Sequence, residues 1–257
     1  MTTTIALAGK GGTGKTTVAA LLIRYIVERG LGTILAIDAD PSANLNLSLG
    51  VPLDGTVGDI REEMLSQVSG GTMNLGISKH DYLDYHIRTI LEEGDVFDLL
   101  AMGRPEGPGC YCPVNNMLRL IIDRLSKNYN YVVIDNEAGM EHLSRRTTRD
   151  VDFLLLVTDP TLRGVAAAKG MVQLSQELNI NVGQTYLVVN RVGESLPRPV
   201  QEAIEELGIE LLGTIPYDPQ LMVFEGTGRP LLELDGDSAV YRAVKKIADK
   251  LIPRTGG

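Results

Sequence analysis

Gly9-Lys10-Gly11-Gly12-Thr13-Gly14-Lys15-Thr16 fits the spacing G-x-x-x-x-G-K-[ST]. It follows the apolar run Thr4–Ala8, which reads as a strand. It opens a helical pattern from Lys15 to about Glu28 that stops at Gly30. Glycines at these positions let successive backbone N–H groups curl inward as an anion nest, and the positive end of the following helix adds to the field. In such a loop the lysine reaches the β- and γ-phosphates and the Thr16 hydroxyl ligates Mg²⁺. A strand, a phosphate loop and a helix in that order begin an α/β fold.

The same alternation continues along the chain. Apolar runs at Thr33–Ile37, Val96–Met102, Tyr131–Ile134, Phe153–Val157, Thr185–Val189 and Leu211–Ile215 read as strands. Helical patterns lie between them, among them Asn115–Ser126, Arg163–Leu178 and Arg198–Leu207. A last helix gathers Val240, Val244, Ile247, Ala248 and Leu251 on one face. Continuous apolar strands are those buried on both faces, so the expected fold class is α/β, a doubly wound and mainly parallel sheet. At about 150 residues per domain, 257 residues make one large domain or two small ones. No Pro/Gly/Ser linker divides the chain, and a single domain over 1–257 is expected.

Composition narrows the function classes. Hydrophobic residues at 44% and charged residues at 22% exclude disordered, collagenous and coiled-coil chains. Lys and Arg number 24 against 33 Asp and Glu, a net charge of −9, which disfavours nucleic-acid and anionic-membrane partners. No apolar run approaches the roughly 20 residues of a membrane span, and residues 1–4 carry no signal-peptide pattern. With two Cys only two positions apart, a cytoplasmic, reducing location without a disulfide framework is expected.

Two carboxylate segments end predicted strands. Asp38-Ala39-Asp40-Pro41 puts carboxylates at i and i+2, on one side of an extended segment, at the sheet edge where open α/β folds bind ligands. Strand-end acids also serve as caps. Asp135 closes the apolar run Tyr131–Ile134, the Walker B pattern, and would hold a Mg²⁺-bound water. His80 and His86 lie six apart, without the i, i+4 spacing of helical metal ligands.

A third motif, Gly103-Arg104-Pro105-Glu106-Gly107-Pro108-Gly109-Cys110-Tyr111-Cys112-Pro113, forms a shaped loop at about 103–114. Cysteines at i and i+2 in extended backbone offer two thiolates to one ion. The helix expected from Asn115 would favour the thiolate form. Two ligands are too few, and a two-fold dimer would bring four thiolates together in an S₄ site. Thiolates accept Ni²⁺ and Zn²⁺ alike.

With Lys10, the loop Gly9–Thr17 resembles the deviant Walker A loop of the MinD/ParA/nitrogenase iron protein group of ATPases. The resemblance implies that Lys10 crosses a dimer interface to the partner's nucleotide, and that Lys15 and Asp40 act in catalysis, Asp40 positioning the attacking water. It implies ATP or ADP held by Gly11, Gly12, Thr13, Gly14, Lys15, Thr16 and Thr17, with Asp38 and Asp135 supporting Mg²⁺. Asn136-Glu137-Ala138-Gly139 resembles the second switch, in which the Gly139 N–H senses the γ-phosphate. The family ordinarily has Thr-Pro where this chain has Asn136-Glu137. Val188-Val189-Asn190-Arg191 resembles the base-reading segment, with the Asn190 amide on adenine, although Asn190 also suits a strand-end turn. Pro216, Tyr217 and Asp218 resemble the loop that closes over the base.

The phosphate loop, the C-x-C segment and Asp135–Arg146 together resemble the CooC-type accessory ATPases. That likeness implies a homodimer that binds Ni²⁺ or Zn²⁺ between subunits through Cys110 and Cys112. It also implies a nickel-enzyme client, carbon monoxide dehydrogenase or acetyl-CoA synthase. An iron–sulfur electron donor like nitrogenase iron protein and a MinD/ParA-like positioning ATPase are the alternatives.

Overall fold

The computed structural model describes residues 2–70, 78–104, 112–137, 150–178 and 180–252. An eight-stranded sheet runs in the order β3-β4-β2-β5-β1-β6-β7-β8. Its strands are β1 (Thr3–Ala8), β2 (Ile34–Ala39), β3 (Glu92–Glu93), β4 (Asp98–Ala101), β5 (Tyr131–Asn136), β6 (Asp150–Thr158), β7 (Asn181–Val192) and β8 (Glu210–Pro216). All neighbours are parallel except β3, a two-residue strand antiparallel to β4. From β1 the chain first builds one side of the sheet and later the other, so the order reverses beside β1, where the phosphate loop emerges. The α/β, mainly parallel architecture is as expected from the alternating pattern.

Side chains alternate between two cores, as strand geometry requires. Ile5, Leu7, Ile34 and Ala36 face a layer made by α1 (Lys15–Glu28), α2 (Leu45–Leu49), α8 (Pro219–Thr227) and α9 (Ala239–Leu251). Ala6, Ala8, Leu35 and Ile37 face the opposite layer of α3 (Val57–Ser69), α4 (Lys79–Thr89), α5 (Cys112–Ser126), α6 (Leu162–Glu177) and α7 (Arg198–Leu207). The predicted face of α9 is the buried one, with Val240, Val244, Ile247, Ala248 and Leu251 all in the core.

Several elements went unread in the sequence. Helices α3 and α4 start at Thr56 and Ser78, whose side chains accept from the N–H groups of Asp59 and Asp81 three residues on. These are capping signals with Asp in the usual place of Glu or Gln. In α4, His86 stacks on Tyr82 at 4.2 Å between ring centroids, so its environment is aromatic. Helix α5 begins at Cys112 and not near Asn115. Pro113, in its first turn, has no N–H to lose and a φ already suited to a helix. The expectation that both cysteines sit in extended backbone is therefore corrected for Cys112. Cys110 lies outside the described residues.

Leu21 is fully buried in the middle of α1, against the sheet. Leu21→Ala is expected to lower the free energy of unfolding by about 2–5 kcal/mol in a denaturant titration of the ligand-free protein.

Candidate nucleotide site

Between β1 and α1 the loop turns on Gly12 (φ 78°) and Gly14 (φ 89°), left-handed conformations that glycine adopts without strain. Gly14 also caps α1. A Cβ on Gly9 would stand 2.1 Å from the Val157 carbonyl oxygen, and one on Gly14 would stand 2.3 Å from Asn190 Nδ2. The loop is thus pressed against β6 and the end of β7, and glycine is required for close approach at both positions. Thr13 Oγ1 and Lys15 Nζ both donate to the Lys10 carbonyl, at 2.9 and 3.3 Å. That carbonyl closes the turn, while the Lys10 side chain is exposed.

Three strand ends bring the charges together. Asp38 and Asp135 are register partners on β2 and β5, and Leu7 on β1 is the other partner of Asp135. Both carboxylates are buried, each 1% exposed. Thr16 Oγ1 donates to Asp135 Oδ2 at 2.6 Å, while no donor among the described residues reaches the buried Asp135 Oδ1. A hydroxyl beside a carboxylate with a spare oxygen is the donor set of a hard cation held partly through water. The residues present therefore fit Mg²⁺, with Thr16 and Asp135 as its holders.

Burial pushes the Asp135 carboxyl up to about 7; the Thr16 hydroxyl opposes the shift and the neighbouring Asp38 adds to it. Asp38 rises to about 6 for the same chief reason, against the N–H groups of Leu45 and Asp40. Burial also lowers Lys15, offset by Asp135, Asp40 and Glu137. Burial thus works against the charged form of all three groups, and Lys15 and Asp135 partly offset it for each other.

Asp38 is committed on both oxygens: Oδ1 accepts from Asp40 N at 3.0 Å and Oδ2 from Leu45 N at 2.8 Å. It folds residues 40–45 back over itself and accepts from the first N–H of α2. Asp40 Oδ1 accepts from Ser42 N at 2.8 Å.

The residues expected around the base take structural parts. Asn190 is buried; its Nδ2 donates to the Thr13 carbonyl at 2.8 Å and its Oδ1 accepts from Arg191 N at 2.8 Å. In this arrangement its amide braces the phosphate loop with one N–H and keeps its second N–H and a carbonyl lone pair. Arg191 is left-handed at φ 58°, and Val192 pairs with Pro216, so the two base segments lie side by side. Tyr217 is 56% exposed, and its N–H donates to the Val192 carbonyl. Asp218 caps α8 through Gln220 N at 2.9 Å.

Thr17 Oγ1 donates to Glu225 Oε1 on α8 at 2.8 Å, a tie between positions 208 apart that no local spacing announces. Asn136 Nδ2 donates to the Leu7 carbonyl at 2.8 Å, which ties the start of the second switch to β1. Gly139 and His142 lie outside the described residues. The described residues contain no group of three or more His, Cys, Asp or Glu placed to hold a metal.

A carboxyl whose folded pKa is raised binds more protons folded than unfolded, so stability falls as pH climbs from the ordinary value of 3.8 to the raised one. In chelator-treated protein, Asp135→Asn is expected to melt above the wild type at pH 8 and to converge with it near pH 4. Parallel melting curves across that window would mean that Asp135 ionises at no cost. Asn190→Ala removes the brace on the Thr13 carbonyl and is expected to weaken nucleotide binding roughly tenfold by calorimetry.

A glycine nest on a helix start, with a lysine and a strand-end Asp beside a threonine hydroxyl, is a nucleotide site by its chemistry, and comparison with known proteins agrees. Residues 4–231 match the CobQ/CobB/MinD/ParA nucleotide binding domain. An uncharacterised ATP-binding protein of Methanocaldococcus jannaschii is 46% identical over 248 residues, 96% of this chain and 98% of its own. The carbon monoxide dehydrogenase accessory protein CooC of Rhodospirillum rubrum is 31% identical, with 90% of this chain and 89% of CooC covered. Among solved structures, the septum site-determining protein MinD of Pyrococcus horikoshii, complexed with Mg-ADP, superposes with a TM-score of 0.71. It is 23% identical and covers all of this chain and 98% of its own, a likeness of fold. The nest at Gly9–Thr16, the paired strand-end carboxylates and the match over residues 4–231 together make this chain a member of the CobQ/CobB/MinD/ParA nucleotide-binding family.

Proposed function

We propose that the chain is a homodimeric ATPase metallochaperone that couples ATP binding and hydrolysis to delivery of nickel into carbon monoxide dehydrogenase or acetyl-CoA synthase. One observation carries the reading. The segment that bears the cysteine pair leaves β4 at the same sheet edge as the nucleotide site, and Met102 N donates to the Asp38 carbonyl at 2.7 Å. Asp38, which folds residues 40–45 back over itself, thus also holds the residue next to Gly103, where the segment that carries the cysteines begins. The identity to CooC, and the C-x-C of the sequence, whose second cysteine begins α5, support the choice of nickel over other cargo.

In this reading Lys15 and the loop N–H groups bind the phosphates, and Thr16 and Asp135 hold Mg²⁺. An ion held there would supply neutralisation of the charge that develops on the transferred phosphoryl oxygens. Asp40 aligns the attacking water and Lys10 reaches the partner's nucleotide. Nucleotide state can drive the cargo only if the two states of the dimer differ in affinity for it. The metal is then held by Cys110 and Cys112 of both subunits.

Anaerobic protein titrated with nickel is expected to take up one ion per two chains. Cys110→Ser combined with Cys112→Ser abolishes that uptake and leaves ATP binding near the wild-type value. A nickel ion retained by the double variant would remove the cysteines from the site. Asp40→Asn is expected to slow ATP hydrolysis by about 10²-fold with little change in ATP affinity, read by phosphate release and by calorimetry.

A further inference from the structure

A groove of about 440 Å³ lies between β8 and α9, with Pro216 at one end and Lys250 among its other lining residues. β8 is the outermost strand of the sheet, and among the described residues its outer edge has no strand partner. Unpaired edges are templates for another chain, and natural proteins usually cover or blunt them. Here the edge is irregular. Leu187 pairs with Leu211 and Val188 with Gly213, so Leu212 is skipped in the pairing with β7. The Leu212 carbonyl takes the Lys250 ammonium at 2.7 Å instead.

The helix beside this edge is charged in one sense. Arg242, Lys246 and Lys250 recur every four residues on the exposed side of α9 and line the groove together with Leu212, Gly213 and Thr214. None of the three cations forms an ion pair among the described residues. Asp249, the acid on the same helix, is turned away to Tyr25 and Arg29. Three unneutralised cations in a row are unusual on a chain of net charge −9. The strand and the helix are held close, because a Cβ on Gly213 would stand 2.7 Å from Ile247 Cγ1.

We infer that this groove docks an extended acidic segment of a partner protein, which adds to the edge of β8 through its main chain and pairs its carboxylates with Arg242 and Lys246. The open strand edge calls for main-chain hydrogen bonds, which a peptide supplies and a nucleic acid or a lipid headgroup does not. The basic row supplies the charge complementarity that selects an acidic sequence and speeds its encounter. Lys250, already on the Leu212 carbonyl, guards the edge against neutral strands until an acidic one displaces it.

The test uses the full chain and a fluorescein-labelled synthetic peptide of alternating Glu and Thr, read by fluorescence anisotropy. Saturable binding is expected, with no binding of the Lys and Thr counterpart. Peptide N-methylated at alternate amides should bind about tenfold more weakly, and hydrogen exchange at Gly213 and Thr214 should slow in the complex. Arg242→Ala with Lys246→Ala should weaken the acidic peptide about tenfold with melting temperature and ATP binding unchanged. If that pair unfolds the chain, Lys246→Gln alone, with an expected threefold or so loss, gives the same comparison. Absent binding, or binding indifferent to N-methylation, overturns the proposal. So does retention of a short DNA duplex or of phosphatidylglycerol vesicles, with no affinity for the acidic peptide, if the double substitution removes that retention.

Discussion

The pairing of Asp38 with Asp135 across β2 and β5 is the constraint around which the rest of the site is arranged. Two carboxylates in register at the end of a buried parallel sheet cost free energy unless something answers them. Asp38 is answered by backbone N–H groups, which forces residues 40–45 to fold back over it. Asp135 is answered by one hydroxyl and the nearby Lys15, and keeps an oxygen in reserve. The same residue type in the same register thus becomes a scaffold on one strand and a carboxylate with a spare oxygen on the next. What divides the roles is the number of donors that reach each.

Much of this was legible because the signals are local. The nest at Gly9–Thr16 depends on residues within one turn, and its spacing carries its meaning. The sheet was legible from runs such as Tyr131–Ile134, since strands buried on both faces must be apolar throughout. The face of α9 followed from helical period alone. What stayed hidden depends on distance in sequence. Asn190 reads as a base contact or a turn former, and only the fold reveals that its amide lies under Thr13, 177 positions away. The Thr17–Glu225 tie is hidden in the same way. The strand β3, two residues long, is too short for any period to show. The start of α5 was misplaced for a different reason: a proline among glycines and prolines reads as loop, and its use in a first helical turn needs the helix to be known.

The two cores divide the labour of the molecule. The layer of α1, α2, α8 and α9 holds the phosphate loop and its ties, including Glu225 on α8. The opposite layer holds α5, at whose head Cys112 stands. The sheet between them is the common wall, and every strand end that matters lies on its carboxyl edge.

That arrangement sets how far a change at the phosphates must travel to reach the root of the cysteine loop. Asp135, Asp38 and Ala101 stand in register on β5, β2 and β4. Two inter-strand spacings of about 4.8 Å separate the cation-holding carboxylate from the strand that releases residues 103–111. Over some 10 Å of close-packed, hydrogen-bonded wall, a displacement of one strand end is handed to the next almost undiminished. A shift at Asp135 would therefore reach the end of β4 with no hinge and no long lever between them. The sheet itself is a stiff beam two strands wide, loaded at one end and read at the other.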